Sequence, residues 1–283
     1  MENLINYIEK TLNESLFDDE DVLSDPERDR KIIESWIKEN YIYDCPLKIS
    51  DDFVVNCKGD VAVRNLDIIS LTNDMFRWGE VGGYFKCSGR NNLTSLKGAP
   101  KKVGKNFDCS WCKNLKTLEG APEEVSGSFY GTECRGLETL EGAPKVVKGN
   151  FDCSACSKLT SLKGAPKEVD GCFFCSVCKD LKSLEGAPER VGINFECACC
   201  RNLESLEGSP KKINGNFSCI DCKNLKTLKG APEEVGENFY CSECNNLTSL
   251  EGGPVKIKGS LWCGDCKNLK LTYSDHKKYK IKS

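Results

Sequence analysis

The chain has 283 residues and a formal net charge of −3, so no global charge draws it to nucleic acid or to an anionic membrane. No apolar run approaches the roughly 20 residues of a membrane span. Met1-Glu2-Asn3-Leu4-Ile5 lacks the basic and apolar regions of a secretory signal, so a cytoplasmic location is expected. The twenty cysteines then call for an explanation in metal, redox chemistry or packing rather than in the disulfides of a small secreted scaffold.

In chain order, residues 1–44 read as a helical N-terminal segment. Leu4, Ile5, Ile8 and Leu12 share one side of a first helix, followed by the acidic run Phe17-Asp18-Asp19-Glu20-Asp21. Pro26, with Ile32, Ile33, Trp36 and Ile37 at helical spacing, predicts a second helix over about 26–40. Residues 45–84 read as a degenerate capping coil. Its short strands are Phe53-Val54-Val55 and Val61-Ala62-Val63, and Leu66 and Ile69 are expected to complete it.

From 85 to 271 the chain repeats itself every 22 residues. Prolines recur at Pro100, Pro122, Pro144, Pro166, Pro188, Pro210, Pro232 and Pro254; phenylalanines recur from Phe85 to Phe239, and Leu261 closes the series. One unit reads Phe-x-Cys-x-x-Cys-x-Asn-Leu-x-x-Leu-x-Gly-Ala-Pro-x-x-Val, and about nine units fit. Phe107 and Cys109 alternate, as on one face of a short strand. Cys112, Leu115 and Leu118 follow at intervals of three, Gly120-Ala121-Pro122 makes a corner, and Val125 is the last inward residue before the Gly127 link. No unit shows a helical period, so each is strand and turn. The apolar burial of one unit is smaller than the cost of ordering it, so units must stack. Nine coils about 4.8 Å apart make a rod or arc on the order of 40 Å long. Residues 272–283 form a basic tail, His276-Lys277-Lys278-Tyr279-Lys280-Ile281-Lys282, read as a cap edge or frayed end.

The run from Val103 through Phe107, Cys109, Cys112, Asn114, Leu115 and Leu118 resembles the leucine-rich-repeat signature, and Leu118…Gly120…Pro122…Val125 resembles its short, helix-poor bacterial form. The match covers about two thirds of the chain. Similar cysteine-rich units occur in proteins of tailed phages and gut bacteria. The resemblance implies a mainly β, right-handed solenoid with a small α-helical N-terminal cap, and a binding scaffold that uses its strand face. The chain departs from the signature in having one extra residue between Val and Phe, Cys for the mid-strand Leu, and Gly-Ala-Pro for Leu-Pro.

Sixteen cysteines fall on two ladders, one running from Cys87 to Cys263 with Gly131 as its gap, the other from Cys112 to Cys266 with Arg90 as its gap. Cys153-x-x-Cys156 followed by Cys175-x-x-Cys178 has formal zinc-ribbon spacing. Packing is the preferred reading, because these cysteines share a face with Phe and Leu and their ladders are continuous rather than grouped in fours. No metal or cofactor is therefore expected. Cys45, Cys57, Cys172 and Cys199 lie off the ladders, with Cys172 and Cys199 expected to face outward.

Function is expected where the units differ. The row between Phe and the first Cys reads Lys86, Asp108, Tyr130, Asp152, Phe174, Glu196, Ser218, Tyr240, Trp262. Trp111, Tyr130, Phe174, Tyr240 and Trp262 are the expected anchors for an unknown protein partner, tyrosine and tryptophan being common hot-spot residues. The competing reading is that these aromatics serve strand propensity and that Asn106, Asn150, Asn194, Asn216 and Asn238 pair between coils. An acidic, tyrosine-bearing face disfavours nucleic acid. With one His, in the tail, and no nucleophile or phosphate-loop motif, the chain reads as a non-enzyme. The alternatives are a structural or virion-associated spacer and a zinc-binding repeat protein. Leu12-Asn13-Glu14 also resembles the trimming site of phage prohead targeting peptides, which would put the protein in a virion rather than in the host cytoplasm.

Overall fold

Each 22-residue unit closes into one coil because its inward side chains recur at fixed positions and its corners are built in. The computed structural model describes residues 25–282. The first expected helix and the Leu12-Asn13-Glu14 motif lie outside these residues. Helix α1, Pro26–Asn40, begins as expected with Pro in its first turn and is capped by Asp25, whose side chain accepts the Glu27 N–H at 3.0 Å. Its buried face carries Ile32, Ile33 and Ile37.

The strands follow. They are β1 (Tyr41–Tyr43), β2 (Leu47–Ile49), β3 (Val54–Cys57), β4 (Val61–Val63), β5 (Arg77–Val81) and then two per coil. In the coils the even-numbered strands hold the Phe position, from β6 (Phe85–Lys86) to β22 (Leu261–Trp262). The odd-numbered strands hold the Val position, from β7 (Lys102–Val103) to β21 (Lys256–Ile257). Helix α2 (Tyr273–Lys278) and β23 (Ile281–Lys282) end the chain.

The strands assemble into two sheets, a 12-stranded Phe sheet and an 11-stranded Val sheet. The second sheet was not expected; within the repeats its strands are only two residues long, too short to show alternation. Pairing within the repeats is parallel and in register, as in Phe129↔Phe151 and Val147↔Val169. Neighbouring strands exchange bonds in both directions along the stack, as parallel pairing requires, and flanking residues add to them, Phe129 donating to Asn150 O at 2.8 Å in the Phe sheet and Lys148 to Val125 O at 3.1 Å in the Val sheet.

Eight phenylalanines, Phe85 to Phe239, stack through the interior with centroids 4.9–5.7 Å apart and planes within 12° of parallel. At the N-terminal end Tyr41 and Trp78 cover Phe85 with their rings tilted or edge-on, and β1 and β2 turn antiparallel to close both sheets. This is the expected degenerate coil in altered register. Leu66 and Ile69 are exposed, and Ile68 and Leu71 take the inward places. The C-terminal tail is ordered as a cap: β23 adds to the Phe sheet beside β22, and the buried Tyr279 donates its hydroxyl to Pro254 O at 2.8 Å.

Candidate functional site

The two cysteine ladders are interior, but they do different things. After the first-ladder cysteine the chain makes a tight turn whose third residue adopts positive φ: Trp111 at 65°, Ala155 at 59°, Val177 at 63°. That turn swings the second cysteine back inward, where its thiol donates to the carbonyl of the first-ladder residue one coil earlier. Cys112 reaches Cys87 O at 3.2 Å, Cys178 reaches Cys153 O at 3.3 Å, and Cys200 reaches Cys175 O at 3.2 Å. A buried backbone carbonyl without a donor costs about 1–3 kcal/mol, so the thiol satisfies a group that leucine would leave orphaned.

The two gaps obey the same rule. Arg90 stands where the thiol is missing and donates its guanidinium to Val63 O, the equivalent carbonyl of the capping coil. Gly131 lacks a side chain but keeps its carbonyl, which accepts Cys156 Sγ at 3.3 Å. Burial pushes the thiols of Cys112 and Cys178 up to about 12, so they stay protonated as donors. The sulfurs of Cys153, Cys156, Cys175 and Cys178 do not converge as a metal site. Among the described residues only Asp44, Cys45 and Cys57 bring three potential ligand atoms within 4.8 Å of one another, and there Cys45 and Cys57 are joined as a disulfide, Cα–Cα 6.3 Å. Cys199 is partly exposed, as expected, whereas Cys172 is buried, its N–H held by Asn150 Oδ1 at 2.9 Å.

The asparagine row is architectural. Asn106, Asn194, Asn216 and Asn238 each accept, through Oδ1 at 2.9 Å, a backbone N–H one coil further on. This pairing is side chain to backbone, with side-chain bonds added at Asn216 and Asn238.

Outside the Phe sheet the variable row stands in register, coil on coil: Tyr130 between Asp108 and Asp152, and Phe174 between Asp152 and Glu196. From Asp108 to Glu196 acid and aromatic alternate strictly over five coils. Tyr130 and Phe174 are half-buried, as is Tyr240, whose ring stacks on that of the more exposed Trp262 at 6.1 Å. The five expected anchors therefore do not form one compact site. Tyr130 and Phe174 lie two coils apart, Tyr240 and Trp262 form a second patch toward the C-terminal end, and Trp111 projects from the turn at the sheet margin, about half exposed.

The carboxylates of this row were visible in the sequence but not chosen as anchors. Asp108 and Asp152 each accept one backbone N–H at 2.9 Å, from Ser110 and Ser154. Burial raises the Asp152 carboxyl above its ordinary range; Glu196 is raised by its own burial and by the charge of Asp152. Among the described residues neither these two nor Asp108 has a cation within ion-pair distance. The Val sheet is the opposite: its outer charges neutralise one another between coils, as in Lys102–Glu124 at 3.9 Å, Lys212–Glu234 at 3.5 Å and Lys211–Glu233 at 3.8 Å. Such exposed pairs contribute little stability, but they leave that face without net demand for a partner.

The described residues contain no helix long and apolar enough to cross a membrane. Comparison of the chain with family models, with curated proteins and with solved structures finds no match to any of them.

Proposed function

We propose that this chain is a non-enzymatic repeat scaffold that binds a protein partner across the outer face of its Phe sheet. One observation carries the reading. The interior and corner positions hardly vary among the coils whereas the outward rows do, and of these the outer row of the Phe sheet sets half-buried carboxylates with no cation at ion-pair distance beside half-buried aromatic rings. The backbone N–H that Asp108 and Asp152 each accept does not neutralise their charge, and stability alone does not ask for half-buried acids without a cation.

The ladder thiols fit a structural role. A nucleophile or metal ligand needs the thiolate, and burial holds Cys112 and Cys178 as protonated donors. We infer that the unit is a leucine-rich-repeat-like coil of the short bacterial and phage type, acting in a cytoplasm, the host's if the protein is phage-encoded. Eighteen cysteines carried as thiols suit a reducing compartment.

Affinity capture from native cell extract, with the wild type beside a variant carrying Trp111→Ser, Tyr130→Ser, Tyr240→Ser and Trp262→Ser, tests this. The expected result is a partner lost from the variant while its circular dichroism is unchanged. A partner retained by the variant would move recognition off this face and favour the spacer reading.

A further inference from the structure

We propose that the partner presents to this face a polyproline-II segment with an arginine or lysine at every third residue. The inference rests on the reading above that the Phe-sheet face binds protein, and it names the chemistry that face would recognise.

Charge complementarity is the first ground. Asp108, Asp152 and Glu196 recur at every second coil of one sheet row with no cation within ion-pair distance, although Lys86 stands in register beside Asp108 at the N-terminal end of the row, and each has an aromatic neighbour, Tyr130 or Phe174, in the adjoining coil. A cation set between Tyr130 and Phe174 would meet a ring on either side and the Asp152 carboxylate beneath. Guanidinium suits that slot best, because its planar, weakly hydrated group stacks on rings while its edge donates to a carboxylate.

The spacing is the second ground, and it selects the conformation of the bound segment. Successive carboxylates lie two coils apart, about 9.6 Å at the strand separation of a parallel sheet. A polyproline-II helix returns the same face to its surface every three residues, about 9.3 Å. Across all three carboxylates the two periods drift apart by only about 0.6 Å. A β-strand returns the same face about every 6.7 Å and falls out of step after one carboxylate. An α-helix does so about every 10.5 Å, seven residues on, and accumulates about three times that misfit. Alternation of rings and acids is also what a polyproline-II ligand uses, since aromatic-lined grooves receive its preformed, low-entropy backbone.

Burial supplies the third ground. Asp152 and Glu196 are already partly desolvated in the free protein, so an incoming cation meets carboxylates with less water to displace than a fully exposed pair would have.

The test uses the full-length chain and three labelled heptapeptides of identical composition, three arginines and four prolines, read by fluorescence anisotropy at two salt concentrations. In one the arginines stand at every third position, in one at every second, and in one they are contiguous. The expected result is that the period-three peptide binds about tenfold more tightly than either isomer. Asp152→Asn and Glu196→Gln should each weaken it about fivefold, while Glu234→Gln on the Val sheet leaves it unchanged. Equal affinity for the three isomers would reduce the effect to net charge and overturn the proposal. So would tighter binding of an arginine-bearing peptide of heptad period that is helical in solution. If none of the peptides binds while the serine variant still loses its captured partner, the polyproline-II inference falls and the binding face stands. If that variant keeps its partner, the binding face itself falls.

Discussion

Gly186→Ala and Gly89→Ala place the same methyl group on glycines of similar backbone conformation and should differ widely in cost. Gly186 sits at φ 88° in the Gly-Ala-Pro corner, and a Cβ there would lie 2.5 Å from Lys163 N and Cα and 2.7 Å from Leu162 C, all backbone of the preceding coil. Gly89 sits at φ 73° with nothing within 4 Å of its Cβ position. Both variants take on the left-handed cost of an L-residue, about 1–2 kcal/mol, offset by about 0.4–1 kcal/mol from the reduced freedom of the unfolded chain. Gly89→Ala should therefore cost about 1 kcal/mol or less. Gly186→Ala must also push two coils apart beside the Leu162 N–H···O Glu185 bond of 2.9 Å. Overpacking of about 1–3 kcal/mol and an orphaned donor of about 1–3 kcal/mol raise its total to roughly 2–7 kcal/mol. Urea unfolding followed by far-ultraviolet circular dichroism measures both. Because coils touch only their neighbours, Gly186→Ala should also broaden the transition as the array divides near that interface. Equal destabilisation by the two variants would refute the claim that close coil-on-coil approach, rather than φ alone, demands glycine at the corner.

Cys178→Ala removes the thiol donor to Cys153 O and should destabilise by about 1–3 kcal/mol in the same assay. Val177→Gly relieves a β-branched residue at φ 63° and should stabilise by about 1 kcal/mol, less the entropy that glycine adds to the unfolded chain. The raised carboxyl of Asp152 sets a pH dependence. An acid that holds its proton more tightly folded than unfolded adds stability relative to the ionised state at low pH and loses it as pH rises from the ordinary value of 3.8 through the raised one. Asp152→Asn, which keeps the acceptor for the Ser154 N–H, should be more stable than wild type at neutral pH, and the gap should close on acidification; a gap that widens on acidification would contradict the desolvated site.

The architecture was legible because the 22-residue period carries its own register: the Phe, Leu and Val positions of the unit are interior in every coil but the last, where Ile257 and Leu269 are half-buried. What the sequence could not show depends on contacts between coils. The second ladder's thiols are donors only because a carbonyl from the previous coil lies above them, and Arg90 becomes intelligible as a substitute donor only once that carbonyl is in place. The capping coil was misregistered at Leu66 and Ile69 because its spacing departs from the repeat, with Val61 pairing Phe85. The Cys45–Cys57 pair joins a loop to a strand, and no period connects those positions. At the candidate site the aromatics drew notice as single residues. The acids that alternate with them gain meaning from the in-register stack, which turns positions 22 residues apart into neighbours about 4.8 Å apart.

The central claim, that recognition uses the outer face of the Phe sheet, is tested most directly by photo-crosslinking in the native host. A benzophenone side chain is placed either at Tyr130 on that face or at Val146, exposed on the Val sheet. The account predicts a crosslinked partner from position 130 and none from position 146. A partner captured from position 146 and not from position 130 would contradict it.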